Sequence, residues 1–323
     1  MFRRVLLVLL LCTACAAAPA GEPAAPTAAP ITLGFSAWPG WFPWQVAQEQ
    51  GLFEKNGVTV ELKYFDSYTD SLNALATGTI DANSQTLNDT LASVAGGAQQ
   101  SIVLVNDNST GNDQIIAAPG IKTLADLKGR TVAAEQGTVD HYLLLLALEK
   151  AGLSEADVQF TPMLTDAAAA AFVAGQVDAV GAFAPFTSTA LEREGSTAIA
   201  TSADFPGAIP DHLVVTRDLL SRDEKAVQGL VNTWFDTIEW IGANRAKAVE
   251  IMAKRGGVTP AEYETYDKGT TIFTLDQNRT AFTGALDQQA KRISDFLVST
   301  ELVDAAPPLE GLFISKFVEA VQP

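Results

Sequence analysis

The chain has 323 residues, of which 47% are hydrophobic, and it carries a formal net charge of −17. Because so acidic a protein is repelled by polyanions, nucleic acid is not expected as a partner. The chain has only two cysteines, both near the amino terminus, so no disulfide framework supports the fold and its stability must come from a large apolar core.

The first fourteen residues have the pattern of an export signal. Arg3 and Arg4 precede an apolar run over 5–11 that is too short to span a bilayer. Small residues then precede Cys15 in the sequence LCTAC, which resembles the site at which bacterial lipoproteins are cleaved and lipidated on the cysteine. We expect a signal peptide over 1–14, a lipid anchor on Cys15, and a location in the periplasm or on the outer face of the cell membrane. The alternative is an ordinary secretory signal.

Residues 15–30 predict a tether between this anchor and the folded body. The segment is rich in alanine and proline and has no large apolar side chain to bury. No second run of about eighteen apolar residues follows, so we expect the remainder to be soluble, with a length that suits about two domains.

From Ile31 onward, short β-branched segments alternate with helical periods, as in a parallel α/β fold. The segment ITLGF predicts a strand, and the helix over about 43–50 ends at Gly51. A second strand in VTVELKYF, a helix that ends at Gly78, a third strand in IDANS and a further helix in LNDTLASVAGG complete a βαβαβ pattern.

The same order of signals returns about a hundred residues later, in RTVAAE, DHYLLLLALEKAG, VQFTPML, TDAAAAAFVAG and QVDAVGAF. Gly78 then corresponds to Gly175, and Asp81 corresponds to Asp178. Matches in the same order at nearly constant offset predict two lobes of one design. We assign residues 31–112 to the first lobe and 113–208 to the second, with 209–323 returning to the first lobe as a strand and covering helices. The chain would thus cross between the lobes twice.

The loop SAWPGWFPW, after the first predicted strand, holds three of the five tryptophans. In open parallel sheets, ligands lie at the carboxyl ends of the strands. Prolines and a glycine make this loop stiff, so it loses little entropy on binding. We expect Trp38 and Trp41 to face the ligand and Trp44, at the helix start, to pack in the core.

Other candidate ligand contacts lie in loops near the ends of predicted strands, several of them at helix starts. Backbone N–H groups at a helix start can donate to a ligand, although Thr138 and Asp140 are also good helix caps. The candidates are Asp66, Gln85, Thr86, Asn112, Gly137, Thr138, Asp140, His141 and Asp211.

These loops contain carboxylates but no lysine or arginine, which opposes an anionic ligand and favours a neutral or cationic, nitrogen-containing one. The two histidines, His141 and His212, do not have metal-ligand spacing with each other or with a cysteine, so no metal site is expected.

Four segments of the body are similar to a known family. They are AWPGWFPWQVAQEQGLFEKNGVTVEL, LATGTIDANSQT, LADLKGRTVAAEQGTVDHYLL and AFVAGQVDAVGAFAPF. They resemble the nitrate, sulfonate, taurine, bicarbonate and thiamine-precursor group of periplasmic binding proteins of ABC importers. The resemblance covers nearly all of residues 31–323 and implies a type II periplasmic-binding-protein fold, acting as a monomer, whose two lobes close on a small solute.

The resemblance also implies where this family's ligand contacts fall. They lie in the first loop, after the third strand and in the second lobe, at Trp38, Trp41, Gln85, Thr86, Gly137, Thr138, Pro185 and Phe186. Members that bind oxyanions often add a basic residue, and this chain has none in these loops, which argues against nitrate and sulfonate.

The sequence therefore predicts the extracytoplasmic solute-binding component of an ABC importer that captures a small nitrogen- or sulfur-containing solute. A membrane permease with a separate ATPase would be its partner, since the chain has no G-x-x-x-x-G-K-[ST] motif. The alternatives are an enzyme on the same scaffold, similar to thiamine-pyrimidine synthases, or a ligand-dependent sensor subunit. The motifs G-x-S-x-G and H-E-x-x-H are missing, so neither catalytic residues nor a cofactor are expected.

Overall fold

A computed structural model describes residues 29–322. The predicted signal peptide, Cys15 and most of the predicted tether lie outside the described residues. Within them the strands are β1 (Ile31–Phe35), β2 (Val60–Tyr64), β3 (Ala82–Thr86), β4 (Gln100–Ser109), β5 (Asp113–Ala117), β6 (Thr131–Ala134), β7 (Gln159–Pro162), β8 (Ala179–Phe183), β9 (Thr197–Thr201), β10 (Pro210–Thr216) and β11 (Thr270–Ile272).

The strands form two sheets of related design. The first has the order β11-β4-β10-β3-β1-β2 and the second has the order β7-β6-β8-β5-β9. In the first sheet β1 runs parallel to β2 and β3, and in the second β6 runs parallel to β7 and β8. An antiparallel strand then joins each trio, β10 beside β3 and β5 beside β8. This mixed α/β architecture confirms the predicted fold class.

Two aspartates show that the two trios are also alike in detail. Asp81 Oδ2 accepts a hydrogen bond from the backbone N–H of Thr32 at 2.9 Å, and Asp178 Oδ2 accepts one from Thr131 at 3.0 Å. Each carboxylate thus ties the start of the third strand of its trio to the start of the first. The sequence match between Asp81 and Asp178 therefore marks the same structural contact in both sheets.

The α-helices within the described residues are α1 (Pro43–Glu49), α2 (Leu52–Lys55), α3 (Tyr68–Ala76), α4 (Leu87–Ala95), α5 (Val139–Lys150), α6 (Thr165–Val173), α7 (Phe186–Ala190), α8 (Arg217–Arg222), α9 (Glu224–Ala243), α10 (Arg245–Gly256), α11 (Pro260–Tyr266), α12 (Leu275–Thr280), α13 (Leu286–Ser299) and α14 (Lys316–Ala320). Over residues 29–322, no helix has the length and apolar character that crossing a membrane requires.

The carboxyl-terminal helices pack mainly on the side of the first sheet, as the sequence predicts. Helix α9 lies against α1 and α2, where Trp234 meets the ring of Trp44 at a centroid distance of 4.8 Å. Helix α13 packs on α4 but also reaches the second sheet's helices, because Phe296 contacts the edge of Tyr142 at 5.4 Å.

The chain passes between the sheets in two segments that touch each other. The first follows β4, and the second joins β9 to β10. The hydroxyls of Ser109 and Ser202 lie 2.7 Å apart, and Ser202 also accepts a hydrogen bond from Gly111 N at 2.7 Å. The predicted lobe boundaries near residues 112 and 208 fall in these segments, and we retain them as a proposal.

Candidate ligand-binding site

A small cavity, here called the inner cavity, lies where the two sheets approach each other. Its wall combines residues of the first sheet's segments with Asp113, Val139 and Phe183 from the second. The full lining is Trp38, Trp41, Tyr68, Thr86, Asp113, Val139, Phe183, Ile209 and Asp211.

Four aromatic rings enclose much of this cavity. Trp38 lies 6.3 Å from Trp41 and 6.4 Å from Phe183 between ring centroids. Tyr68 closes the circle, at 5.4 Å from Trp41 and 6.2 Å from Phe183. The space open to the centre of a water molecule is only about 10 Å³. A larger solute therefore fits only when the rings move apart. Phe183 belongs to the second sheet, whereas the other three rings belong to segments of the first.

The tryptophan loop, residues 36–44, is fixed by hydrogen bonds to Tyr263 and Asp107. Tyr263 donates its hydroxyl to the carbonyl of Pro39 at 2.9 Å, and Trp38 donates Nε1 to Asp107 Oδ1 at 3.0 Å. Gly40 lies against the same carboxylate, since a Cβ at this position would stand 2.2 Å from Asp107 Oδ2. The loop can thus approach β4 only because residue 40 has no side chain.

The three tryptophans of the loop have different roles. Trp44 is fully buried, donates Nε1 to Ser84 Oγ at 2.8 Å and stacks on Phe53, so the structure places it in the core as expected. Trp41 is buried too, but its Nε1 has no hydrogen-bond partner among the described residues. A buried N–H group without a partner is costly, so a ligand atom that accepts this hydrogen bond would be favoured.

Carboxyl groups with free oxygens form the polar part of the inner cavity. Both oxygens of Asp211 and Oδ2 of Asp113 are buried, and none of these three atoms accepts a hydrogen bond from a donor group of the described residues. Asp107 lies opposite Asp211 in the register of β4 and β10, and its Oδ2 is likewise unpartnered. The lining contains neither lysine nor arginine to neutralise these groups.

Burial changes the acidity of this cluster. Removal from water raises the pKa of Asp107 to about 6 and that of Asp113 to about 7. Burial, and then the neighbouring Asp107, raise the pKa of Asp211 well above its usual range. Asp89, which accepts a hydrogen bond from Thr86 Oγ1 at 2.7 Å, has its pKa raised by burial to about 7. A positive charge in the inner cavity would favour the ionised form of all four groups.

A second space, here called the outer cavity, adjoins the inner one. It holds about 130 Å³ open to the centre of a water molecule. Tyr68 and Phe183 line both cavities. The full lining is Ser36, Ala37, Asp66, Ser67, Tyr68, Glu135, Leu164, Thr165, Asp166, Phe183 and Phe186.

Glu135 connects the two sides beside the outer cavity. Its Oε1 accepts a hydrogen bond from Thr69 Oγ1 of α3, and its Oε2 accepts one from Thr165 Oγ1 of α6 at 2.7 Å. The hydrogen bond from Thr69 joins a helix of the first sheet to a loop of the second. It therefore holds the two sides together in the arrangement described here.

Six of the residues predicted from the sequence line the two cavities. Trp38, Trp41, Thr86 and Asp211 line the inner cavity. Asp66 and Phe186 line the outer one. Their role in binding remains a prediction, now with a common location.

Gln85, Asn112 and Pro185 lie outside both linings. Successive residues of a strand point to opposite faces, so Gln85 points away from Thr86 and donates to Thr90 Oγ1 at 3.0 Å. Asn112 instead secures the first crossing, because its Nδ2 donates to the carbonyl of Tyr266 at 2.7 Å. These three residues therefore do not share the location of the other candidates, and their contact with a ligand stays a prediction.

The candidates in the loop before α5 and in its first turn also lie outside both linings, and most of their polar groups are engaged within the second sheet's elements; Asp140 Oδ1 is buried without a partner among the described residues. Gly137 N donates to His141 Nδ1 at 3.2 Å, and His141 Nε2 lies 2.6 Å from Glu155 Oε2. Thr138 Oγ1 donates to the carbonyl of Glu135 at 2.9 Å, and the carboxyl group of Asp140 lies 2.6 Å from the hydroxyl oxygen of Thr165. The expected donors are therefore used to fix the loop that carries Val139 into the inner cavity.

Sequence reasoning missed several residues of the cavities. Tyr68 lies in the segment 66–70, from which only Asp66 was chosen as a candidate ligand contact. Asp113 is the first residue of β5, directly after the first crossing, and this position between the two predicted lobes could have marked it as a candidate ligand contact. Phe183 ends an apolar strand and was indistinguishable from core by pattern. Over residues 29–322, no group of three or more His, Cys, Asp or Glu side chains could hold a metal ion.

Known proteins are similar to this chain in sequence and in fold. The chain is 30% identical over 254 residues to a Brucella abortus relative named as a binding protein, covering 77% of this chain and 78% of that one. It is 26% identical to the taurine-binding periplasmic protein of Escherichia coli, covering 86% and 89%. The alkanesulfonate-binding protein SsuA from Xanthomonas axonopodis pv. citri, bound to MOPS, has the same fold, with a TM-score of 0.77, 22% identity and coverage of 92% and 100%.

The family model that matches residues 24–255 spans most of the chain and includes the tryptophan loop, both crossings and all residues that line the two cavities. Together with the relatives, this match assigns the family directly: the chain belongs to the NMT1-like family.

Proposed function

We propose that this protein is the extracytoplasmic solute-binding component of an ABC importer and that its solute is a small organic cation with N–H groups. Protonated amines, amidines and guanidines form this class. The function class follows that of the relatives, which are named as binding proteins. One observation carries the choice of ligand: buried carboxyl oxygens without partners stand beside aromatic rings, and the lining has no basic side chain.

The inner cavity suits a cation in two ways. The faces of Trp38, Trp41 and Tyr68 attract positive charge, by roughly 0.5–2 kcal/mol for each well-placed ring. The free oxygens of Asp113 and Asp211 can each accept an N–H hydrogen bond, and bonds to a charged group are worth about 1.5–3 kcal/mol. Trp41 Nε1 offers one donor, which an acceptor atom of the same solute would use.

A sulfonate would meet a different environment here. It carries a full negative charge and needs several donors, but the tyrosine hydroxyl in the lining is already bonded to Thr86. Carboxyl groups could serve a sulfonate only in their protonated form, as donors. The two classes of ligand therefore make opposite demands on the protonation of Asp113 and Asp211.

Binding would act by closure of the two lobes. Trp38, Trp41 and Asp211 belong to the first proposed lobe, whereas Asp113 and Phe183 belong to the second. A solute that contacts both groups stabilises the closed arrangement relative to the open one. In this proposal a monomer, anchored through lipid on Cys15, presents the closed form to a membrane permease with a separate ATPase, and it transforms no substrate.

Thermal denaturation with a panel of ligands tests the proposal. We expect guanidinium, methylguanidinium or alkylammonium ions to raise the melting temperature, while taurine, ethanesulfonate and nitrate leave it unchanged. A ligand at a thousand times its Kd adds about 4 kcal/mol of stability. Asp113→Asn should abolish the effect of cations, whereas Asp304→Asn, an exposed aspartate outside both cavities, should not. Stabilisation by sulfonates alone would refute the cation assignment.

Small-angle scattering tests the closure. A stabilising ligand should reduce the radius of gyration of the full chain at saturating concentration. A ligand that binds tightly without any compaction would show that the lobes do not close on it.

A further inference from the structure

The outer cavity lies next to the inner cavity and has the larger volume. Residues Ser36 and Ala37 line the outer cavity, and the next residue, Trp38, lines the inner one. Tyr68 and Phe183 line both, with 6.2 Å between their ring centroids. A solute that fills the inner cavity could therefore extend past these two rings and into the outer cavity.

The outer cavity contains a buried polar group that has no hydrogen-bond partner within residues 29–322. Ser36 follows β1 directly and is only 1% exposed, and its Oγ has no hydrogen-bond partner among the described residues. A hydroxyl in this state favours a ligand group with which it can form a hydrogen bond. This observation is independent of the charges around it.

Those charges all have one sign. Asp66, Glu135 and Asp166 line the outer cavity, and its lining has no lysine or arginine. Both oxygens of Glu135 already accept hydrogen bonds, whereas Asp66 and Asp166 are exposed at the edge. The environment opposes a carboxylate or sulfonate at the outer end of a solute and favours a second positive charge.

We propose that the solute is a dication of the diamine class, with one cationic group in the inner cavity and the other in the outer cavity. The inner group pairs with Asp113 and Asp211. The outer group donates to Ser36 Oγ and is attracted by Asp66 and Asp166. A short methylene linker passes between Tyr68 and Phe183, whose rings offer apolar contact. This inference rests on the proposed function, because it requires a cation in the inner cavity.

Isothermal titration with matched ligands tests the inference. The series pairs 1,3-, 1,4- and 1,5-diaminoalkanes with the monoamines and with the ω-amino acids of the same chain length. We expect the best diamine to bind at least tenfold more tightly than its monoamine, and the amino acid to bind more weakly than the monoamine. The three ligands differ only in the group at the outer end.

Variants assign the effect to the outer cavity. Ser36→Ala, and the double variant Asp66→Asn with Asp166→Asn, should reduce the diamine's advantage over the monoamine to about threefold or less. Each should weaken the monoamine less than the diamine, because only the diamine places a charge in the outer cavity, and retained binding of the monoamine shows that the variant is folded. Asp304→Asn, which removes an exposed charge elsewhere, should leave the advantage intact.

The possible failures are distinguishable. Equal affinities for monoamine and diamine, or tightest binding of the amino acid, would overturn the dication inference and leave the proposed function standing. If neither amine binds and a sulfonate does, the cation assignment in the proposed function fails, and the dication inference fails with it.

Discussion

The carboxyl groups of Asp107 and Asp211 lie opposite each other on neighbouring strands β4 and β10, and both are almost fully buried. Asp107 also receives the indole N–H of Trp38 at 3.0 Å. Asp211, on the strand that returns from the second sheet, is thereby coupled to Trp38 of the tryptophan loop through the side chain of Asp107. Two buried carboxyls so arranged do not both ionise readily without a positive charge nearby.

This coupling predicts how binding of a cation depends on pH. In the free protein the pKa of Asp107 is raised to about 6 and that of Asp113 to about 7. A cation binds the ionised form better, so its affinity should rise as the pH increases from 5 to 8, by up to about tenfold per pH unit for each proton released. Titration calorimetry in buffers of different ionisation enthalpy would detect that release. An affinity that falls over the same interval would indicate an anion held by protonated carboxyls.

Asp113 should give the stability of the unliganded protein the opposite pH dependence, with stability falling as the pH rises. Its pKa is about 7 in the folded protein, above the ordinary value of 3.8, so its contribution to stability is fully present below pH 4 and is lost as the pH rises through 7. Asp113→Asn removes this loss. We expect the variant to melt on the order of 5 °C above wild type at pH 8, and near the wild-type temperature at pH 4.

Asp126 provides a matched control for that experiment. Backbone and side-chain hydrogen bonds from Lys122 and Thr123 lower the pKa of this exposed carboxylate, so its contribution is present above the ordinary pKa and lost in acid. Asp126→Asn should therefore lower the melting temperature at pH 7 more than at pH 3. Shifts of the same sign in both variants would contradict the assignment to burial.

Trp38 and Trp41 should respond differently to the same substitution. Tryptophan to phenylalanine removes the same ring atoms at both positions, but only Trp38→Phe leaves Asp107 Oδ1 without its donor. Trp38→Phe should therefore cost about 1–3 kcal/mol more in free energy of unfolding than Trp41→Phe. Trp41→Phe should instead weaken ligand binding, by roughly threefold to tenfold, because Nε1 is free for the solute. Urea denaturation followed by circular dichroism, together with calorimetry, measures both effects.

Gly40 should tolerate no side chain. The Cβ of Gly40→Ala would stand 2.2 Å from Asp107 Oδ2, so the loop or the carboxylate must move. We expect a loss of about 1–3 kcal/mol in stability and at least a tenfold loss in cation affinity. Gly242→Ala, in an exposed part of α9 with nothing within 4 Å of the new atom, should stabilise the protein by about 0.5–1 kcal/mol. Equal effects of the two changes would show that the contact at Gly40 is unimportant.

Much of the fold was predictable because its signals are local and occur twice. Helix stops such as Gly78 and Gly175 require a left-handed backbone, which only glycine adopts freely, and both have positive φ angles. Asp81 and Asp178 recur because each ties the same two strands together. The order of strands in each sheet then follows from two copies of one pattern.

The site was only partly predictable, because a loop's position does not fix the direction of each side chain. Thr86 and Gln85 are neighbours, and only Thr86 faces the inner cavity. At the start of α5, His141 takes the amide of Gly137 that was expected to serve the ligand. Asp107 was missed because it lies in an Asn- and Asp-rich run that is typical of a turn, whereas the structure continues β4 as a buried strand as far as Ser109.

The distribution of indole rings gives the protein a built-in optical probe. Trp38 and Trp41 line the inner cavity, whereas Trp44 and Trp234 are sealed in the core of the first sheet's side. Occupation of the cavity would alter the emission of the first pair and leave the second as a constant background. Solute capture could then be followed by intrinsic fluorescence, without any attached label.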